Sequence, residues 1–300
     1  MIEYRALTKR YGGRTVVDRL TLTVPAGSVV ALLGPNGSGK TTSIKAAAGL
    51  IQPDAGEVLL GPDRRPASEA AARRSCSFLP QRVSFPDALT GREVVEFYRR
   101  LREAPLEAAD RVLKFASLNG AGSRPVSTYS GGMVQRLGLA VATLGFADVL
   151  LLDEPTAALD PDGLCAFYGV VEERRRIGGA TFFSSHQLGD IERLADRVAV
   201  IVGGRLVAEL TEREIAVRLA DRGVMRVRLS GRGPSGLLER VRERAPKSLW
   251  FGDELVVPGP ASERPAVLDL IRAEGVEITG LTAQEGRLDE FYRDLIGVAA

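Results

Sequence analysis

The 300-residue chain is poor in several residue types that carry chemistry. It has two cysteines, Cys76 and Cys165, and their separation gives neither a metal-ligand spacing nor a disulfide framework. Zinc-site and disulfide-scaffold classes are thereby excluded, and both thiols read as small core residues in a reducing compartment. Lysine stands only at 9, 40, 45, 114 and 247, the other basic residues being arginine. The 40 basic and 38 acidic side chains nearly cancel, which gives no electrostatic ground for a nucleic-acid partner. No apolar run reaches the ~18 residues a membrane span needs. The longest candidate, residues 137–152, is interrupted by Gly138, Gly145 and Asp148. The opening Met1-Ile2-Glu3-Tyr4-Arg5 has neither a basic nor an apolar stretch of the secretory kind. The expectation is a cytoplasmic protein; any work at the membrane, on its cytoplasmic face, needs another polypeptide as anchor.

What is present fits an ordinary globular chain, 45% hydrophobic and 26% charged, long enough for two domains. Residues 1–30 read as short β segments with a turn at Gly12-Gly13. Val29-Val30-Ala31-Leu32-Leu33 has the length and apolarity of a buried parallel strand, and 42–50 reads as a helix. Helical patterning fills 82–128, for example 91–101. Further buried strands are expected at 149–152, 180–184 and 198–202, the last before a Gly203-Gly204 turn. Alternating strands and helices imply a doubly wound, mostly parallel α/β sheet. Near residue 211 the character changes. Strand 225–229, helix 235–245, a hairpin over 249–257, helix 261–273, strand 276–281 and helix 288–295 follow. That β-α-β-β-α-β order predicts a small α+β, ferredoxin-like domain over 211–300, after a domain of 1–210.

The chemistry-bearing segments sit where such a sheet presents its ligand edge. Gly34-Pro35-Asn36-Gly37-Ser38-Gly39-Lys40-Thr41 fits G-x-x-x-x-G-K-[ST] in full, between a strand and a helix that continues through Thr42. Its glycines let backbone N–H groups turn inward on phosphate oxygens, and the helix start adds positive potential. Lys40 reaches the β- and γ-phosphates, and the Thr41 hydroxyl suits Mg²⁺. Val149-Leu150-Leu151-Leu152-Asp153-Glu154 ends an apolar strand in two carboxylates. Alone, the pair could be a capping acid pair before Pro155. Beside a phosphate loop, Asp153 reads as a Mg²⁺ holder and Glu154 as the group that polarises the attacking water. Asparagine occurs only at 36 and 119, each followed by glycine, so the Asn-Lys-x-Asp guanine reader is absent and adenine is favoured.

Tyr129-Ser130-Gly131-Gly132-Met133-Val134-Gln135-Arg136 decides the branch: here the sequence resembles the ABC ATPases, whose signature loop usually reads Leu-Ser-Gly-Gly-Gln. Ser130, Gly131 and Gly132 match; Tyr129 and Met133 depart. Gln81, after Phe78-Leu79-Pro80, matches the family's glutamine loop, which contacts Mg²⁺ and the attacking water. Asp160, in Ala157-Ala158-Leu159-Asp160, matches the loop that crosses to the partner subunit. Tyr11 matches the aromatic that stacks on adenine. His186, after Thr181-Phe182-Phe183-Ser184-Ser185, follows in the order expected of the switch histidine, which touches the γ-phosphate and helps hold Glu154 and water. The resemblance covers about residues 1–210, with 82–128 as the helical subdomain.

By that resemblance the cofactors are ATP and Mg²⁺. The working unit is a homodimer, or a pair of ATPase subunits, in which the phosphate loop of one copy and Ser130-Gly131-Gly132 of the other sandwich each nucleotide. The resemblance also implies a separate transmembrane permease, with Arg82, Val83, Phe85 and Leu89 as candidates for the groove that receives it. The Ser-Gly-Gly-Met variant is similar to that of exporter-type members. So is the C-terminal Gly286-Arg287-Leu288-Asp289-Glu290-Phe291-Tyr292, which looks like the Ser-Leu-Glu-Asp-x-Phe/Tyr ending of their small domain. Segments 40–45, 79–85 and 128–133 further resemble the ATPase subunit of the copper maturation system for nitrous oxide reductase, which would add a periplasmic companion. The alternative is a drug, antibiotic or lipid exporter subunit. A non-transport ABC ATPase is disfavoured by the single phosphate loop and by the lack of a sustained heptad stretch.

Overall fold

The computed structural model describes residues 1–299 apart from 146, 158, 187 and 232; Ala158, in the loop before Asp160, therefore lies outside the described residues. The chain divides into two compact units, Met1–Glu209 and Leu210–Val298.

In chain order the first unit carries β1 (Ile2–Tyr11), β2 (Arg14–Val24), β3 (Val29–Leu33), α1 (Lys40–Ala47), β4 (Ala55–Leu60), β5 (Arg65–Pro66), α2 (Ala70–Arg74) and β6 (Cys76–Leu79). Then come α3 (Gly91–Leu101), α4 (Glu107–Phe115), α5 (Gly131–Ala142), β7 (Val149–Asp153), α6 (Pro161–Arg176), β8 (Ala180–Ser185), α7 (Leu188–Leu194), β9 (Arg197–Val202) and β10 (Arg205–Thr211). Two sheets result. One has the order β2-β1-β4-β5; the other is six-stranded, β10-β9-β3-β8-β7-β6. In the second, β3, β6, β7, β8 and β9 pair in parallel, as their unbroken apolar runs require when both faces are covered. The first sheet is antiparallel and was legible only as short β segments. Gly12 and Gly13, at φ 52° and 80°, close its β1–β2 hairpin in the left-handed conformation glycine tolerates.

A single core joins the sheets and includes Tyr4, Leu32, Ile44, Leu151 and Phe182. The Tyr4 ring lies 5.8 Å from that of Phe182. Its hydroxyl donates to the Ser43 carbonyl at 3.1 Å, so the helix after the phosphate loop is anchored from below. Helix α1 starts at Lys40, two residues before the sequence-based expectation. Gly39, at φ 103°, is its N-cap and turns the chain abruptly from loop to helix.

A second core gathers Val94, Val95, Val112, Leu113, Leu137 and Leu144 from α3, α4, α5 and the turn after α5. The helical subdomain therefore extends beyond residue 128: α5 supplies part of its core. Helix α3 is entered through a reciprocal capping box between Thr90 and Glu93.

The second unit carries α8 (Glu212–Ala220), β11 (Val224–Leu229), α9 (Leu237–Arg244), β12 (Leu249–Phe251), β13 (Glu254–Pro258), α10 (Arg264–Ala273), β14 (Ile278–Gln284) and α11 (Leu288–Ala299). Its sheet order is β12-β13-β11-β14, antiparallel throughout, which is the ferredoxin-like arrangement of a β-α-β-β-α-β chain. Met225, Val227 and Leu229 alternate inward onto Leu237, Val241, Val267 and Ile271. Strand β14 runs three residues past the expected end at 281, because Thr282, Ala283 and Gln284 pair with Arg226, Met225 and Val224.

Candidate nucleotide site

The phosphate loop leaves β3 at the carboxyl edge of the parallel sheet and is held from three sides. Ser38 N–H donates to the Pro35 carbonyl at 3.2 Å, and Gly204 N–H donates to the Ser38 carbonyl at 3.1 Å. A Cβ on Gly34 would collide with the Ile201 carbonyl, and one on Gly39 would stand 2.7 Å from the Val16 carbonyl oxygen. Both positions therefore require glycine for close backbone approach. The Lys40 Nζ folds back over the loop and donates to the carbonyls of Gly34 at 2.7 Å and Pro35 at 3.2 Å. Burial lowers its pKa, opposed by the charges of Glu154 and Asp153.

At the end of β7 a hydrogen-bond chain fixes the two carboxylates. Thr41 Oγ1 donates to Asp153 Oδ1 at 3.2 Å, and Ser184 Oγ donates to the same oxygen at 2.7 Å. The Glu154 N–H donates to Ser184 Oγ at 2.9 Å. Glu154 itself has φ 48°, a left-handed conformation uncommon for a non-glycine residue. Its carboxylate is almost fully buried, 3.9 Å from Lys40 Nζ and 2.8 Å from His186 Nδ1. An ionised carboxylate only accepts, so the tautomer that matches this contact has the proton on Nδ1.

A cavity of about 350 Å³ opens between these groups, lined by Asn36, Gly37, Gly39, Lys40, Thr41, Thr42, Gln81 and Glu154, with Val16 closing one side. The structure thus brings together the phosphate loop, Gln81 and Glu154, with Asp153 and His186 one contact behind. The residues fit a magnesium nucleotide. Ser38 Oγ is buried in the loop with no partner among the described residues, an orphan that a phosphate oxygen would satisfy. Thr41 and Asp153 offer adjacent hard oxygen donors. Among the described residues no cluster of three or more His, Cys, Asp or Glu could hold a metal alone, so a cation here needs phosphate oxygens as well.

Four predicted site residues and one aromatic lie apart from this cavity. Ser130 is the N-cap of α5, its hydroxyl accepting from Met133 N–H at 3.2 Å, and Gly131 and Gly132 begin that helix; none of the three lines the cavity. Asp160 caps α6 by accepting from Gly163 N–H at 2.9 Å and pairs with Arg136 at 3.3 Å. Tyr11 is half-exposed at the end of β1, with Lys9 Nζ 5.3 Å from its ring centroid. The two departures from the family pattern turn out to be packing residues. Tyr129 and Met133 lie against the helical core, and the Tyr129 hydroxyl donates to the Ala121 carbonyl at 2.8 Å. Of the four groove candidates, Phe85 and Leu89 pack against that same core, and Val83 lies where a Cβ on Gly138 would touch it at 2.7 Å. Only Arg82 is exposed.

Three contributors escaped the sequence reading. Ser184, the first of two serines that end β8, is level with Asp153 in the β7–β8 register. Gly204 holds the phosphate loop from the β9–β10 turn. Arg136 also donates to the Ala116 carbonyl at 3.3 Å, tying the end of α4 to Asp160.

Comparison with known proteins agrees with this geometry. The family described as ABC transporter matches residues 17–157. The daunorubicin/doxorubicin resistance ATP-binding protein DrrA of Streptomyces peucetius is 32% identical over 310 residues, covering 99% of this chain and 92% of that one. The linearmycin resistance ATP-binding protein LnrL of Bacillus subtilis is 27% identical, covering 99% of this chain and 98% of that one. A solved ATP-binding subunit of an ABC transporter superposes with a TM-score of 0.67 at 26% identity, over 73% of this chain and 92% of that one. The chain belongs to the ABC transporter family: it is an ABC ATPase, the ATP-binding subunit of a transporter.

Proposed function

We propose that this chain hydrolyses ATP at a site shared between two copies of itself and so drives a separate membrane permease that exports a drug- or antibiotic-like compound. The observation that carries the chemistry is the buried Glu154 carboxylate on the cavity wall, held by the His186 ring at 2.8 Å and facing Lys40 at 3.9 Å. The amides of residues 34–39 and the start of α1 cradle the phosphates, and Lys40 exchanges its two carbonyl contacts for phosphate oxygens. Thr41 and Asp153, with Gln81 on the same cavity, would hold Mg²⁺. When bound, the cation offsets charge on the β- and γ-phosphates. Glu154 accepts the proton of the attacking water, and His186 keeps that carboxylate in place and faces the γ-phosphate. Tyr11 is assigned the adenine face by resemblance.

Ser130, Gly131, Gly132 and Asp160 serve the site of the second copy, which accounts for their distance from this copy's cavity. The ATP-bound pair is a closed state that hydrolysis reopens, a population shift driven by differential affinity. Among the described residues no helix is long and apolar enough to cross a membrane. In our reading the permease is a separate polypeptide and this subunit works at the membrane's cytoplasmic face. The antibiotic-resistance names of DrrA and LnrL support the drug and antibiotic alternative over nitrous oxide reductase maturation and its periplasmic companion.

Glu154→Gln tests the mechanism. The variant should bind ATP, turn over at least about a hundredfold more slowly, and elute as a dimer with saturating ATP. A monomer under those conditions contradicts the shared site. Purification of the tagged chain from detergent-solubilised membranes tests the transport half, where a multi-span protein in stoichiometric amount is expected.

A further inference from the structure

Behind the His186–Glu154 pair lies a buried acid that the mechanism above does not use. Asp190, 3% exposed, accepts from Thr156 Oγ1 at 2.6 Å and from Tyr168 OH at 2.8 Å. Thr156 follows Glu154 by two residues, and Asp190 follows His186 by four. The two segments leave adjacent parallel strands, β7 and β8. Below the pair, Ser184 bonds Asp153 and the Glu154 N–H and ties the strand ends together. Above it, Asp190 and Thr156 tie the outgoing chains. The His186–Glu154 contact is thus a rung between two hydrogen-bonded rungs.

The upper rung matters because the imidazole is half-exposed and, among the described residues, its hydrogen-bond partner is Glu154. The His186 side chain is 54% exposed, so the backbone that carries it bears on where the ring sits. Bonds to an ionised acceptor are roughly twice as strong as neutral ones, and a buried carboxylate with two short donors makes a stiff joint. Tyr168 extends the joint to α6, the helix that Asp160 caps. Burial first, and the bond to Asp190 second, push the Tyr168 phenol up to about 12, so it stays a donor. The Arg193 guanidinium covers its ring at 4.3 Å.

We infer that Asp190, through Thr156 and Tyr168, is a positioning residue for hydrolysis: it sets the spacing between the segment carrying Glu154 and the segment carrying His186. This rests on the reading of Glu154 and His186 as the hydrolytic pair. Asp190 is buried and does not line the cavity; it acts by keeping the 2.8 Å bond intact, and displacements of about an ångström at such a pair can cost about a hundredfold in rate.

Thr156→Val removes the hydroxyl at nearly constant volume, and Thr156→Ser restores it. In the untagged full-length chain, Thr156→Val should lower kcat about tenfold or more, with KM for ATP and nucleotide affinity within about twofold. Thr156→Ser should regain most of the rate. His186 is the only histidine, so its ring N–H resonance is unambiguous by NMR. That signal should be protected in the parent and in Thr156→Ser, and exchange-broadened in Thr156→Val. Tyr168→Phe, which deletes the other donor, should lower kcat in the same sense without unfolding the chain. Parent-like kcat in Thr156→Val overturns the inference, as does a Thr156→Ser variant no better than Thr156→Val. Loss of nucleotide affinity in step with kcat overturns it too. Glu154→Gln assayed alongside separates the two claims: if it keeps full turnover, the hydrolytic reading itself has failed, whereas a silent Glu154→Gln with an active Thr156→Val removes only the role of Asp190.

Discussion

Two glycine-bearing loops each introduce a helix in the first unit, and they are built in opposite ways. The loop at 34–39 is enclosed. Carbonyls of Val16 and Ile201 press on its glycines, Gly204 bonds to it, and its serine and lysine are buried. The loop at 129–132 is open. Nothing lies within 4 Å of where a Cβ on Gly131 would point, and the Ser130 hydroxyl is spent on its own helix. In the first loop Gly34 and Gly39 answer to contacts inside the chain, while Gly37, with nothing within 4 Å of a Cβ, answers to its φ of 79°. In the second, this chain makes no use of the missing side chain at Gly131, which is what the proposed role of that loop at a second copy's nucleotide predicts. The pair teaches that a glycine's reason can be read from what a methyl group would strike.

Adding that methyl group breaks the comparison most sharply. Gly39→Ala places a Cβ at φ 103° and 2.7 Å from the Val16 carbonyl oxygen. The conformation alone costs about 1–2 kcal/mol, and the contact adds to it. Loss of ATP binding together with a lowered denaturation midpoint is expected by equilibrium dialysis and chemical unfolding. Gly131→Ala should do the reverse. Its Cβ meets nothing, and alanine at the start of a helix is at worst neutral. Stability should stay within about 0.5 kcal/mol and ATP affinity should be unchanged, while turnover falls about a hundredfold, the scale of a methyl group holding the second copy's nucleotide about an ångström out of place. Full turnover in Gly131→Ala would mean that the open loop faces no nucleotide.

The same contrast explains what could be read before the structure. The enclosed loop announced itself, because six of its features are local: a strand, three glycines, a lysine and a threonine at fixed spacing. Asp153 and Glu154 were legible because they end an apolar strand. Ser184 was not, since its role comes from the β7–β8 register, which brings it level with Asp153 across a gap of 31 residues. Arg136 and Asp190 were missed for the same reason: each joins segments distant in the chain. In the second unit the β-α-β-β-α-β order was visible from alternation. The end of β14 was not, because pairing with β11 sets it rather than any turn signal. Phe85, Leu89 and Val83 are half-buried against the helical subdomain, a placement that apolar loop positions do not reveal in sequence.

Tyr129 offers the finest test of how far the open loop is really free of its own chain. The family's usual leucine is replaced by a phenol whose hydroxyl reaches the Ala121 carbonyl at 2.8 Å, close against Gly91 at the start of α3. If position 129 is only a support, Tyr129→Phe should cost about 1 kcal/mol, the net worth of one hydrogen bond, and leave kcat unaltered. Its pH signature has a definite sign. Burial raises the Tyr129 phenol above the ordinary value of 10.0, so on alkaline titration the unfolded chain loses this proton first. Between that pH and the raised folded value the native state binds more protons, and stability falls as pH rises. Tyr129→Phe should therefore be less stable than the parent at pH 8 and should show a shallower alkaline decline above pH ~10. A change in kcat at unaltered stability would instead place the side chain at the nucleotide of the second copy. The line between support and site would then run between Gly91 and Tyr129 rather than between Tyr129 and Ser130.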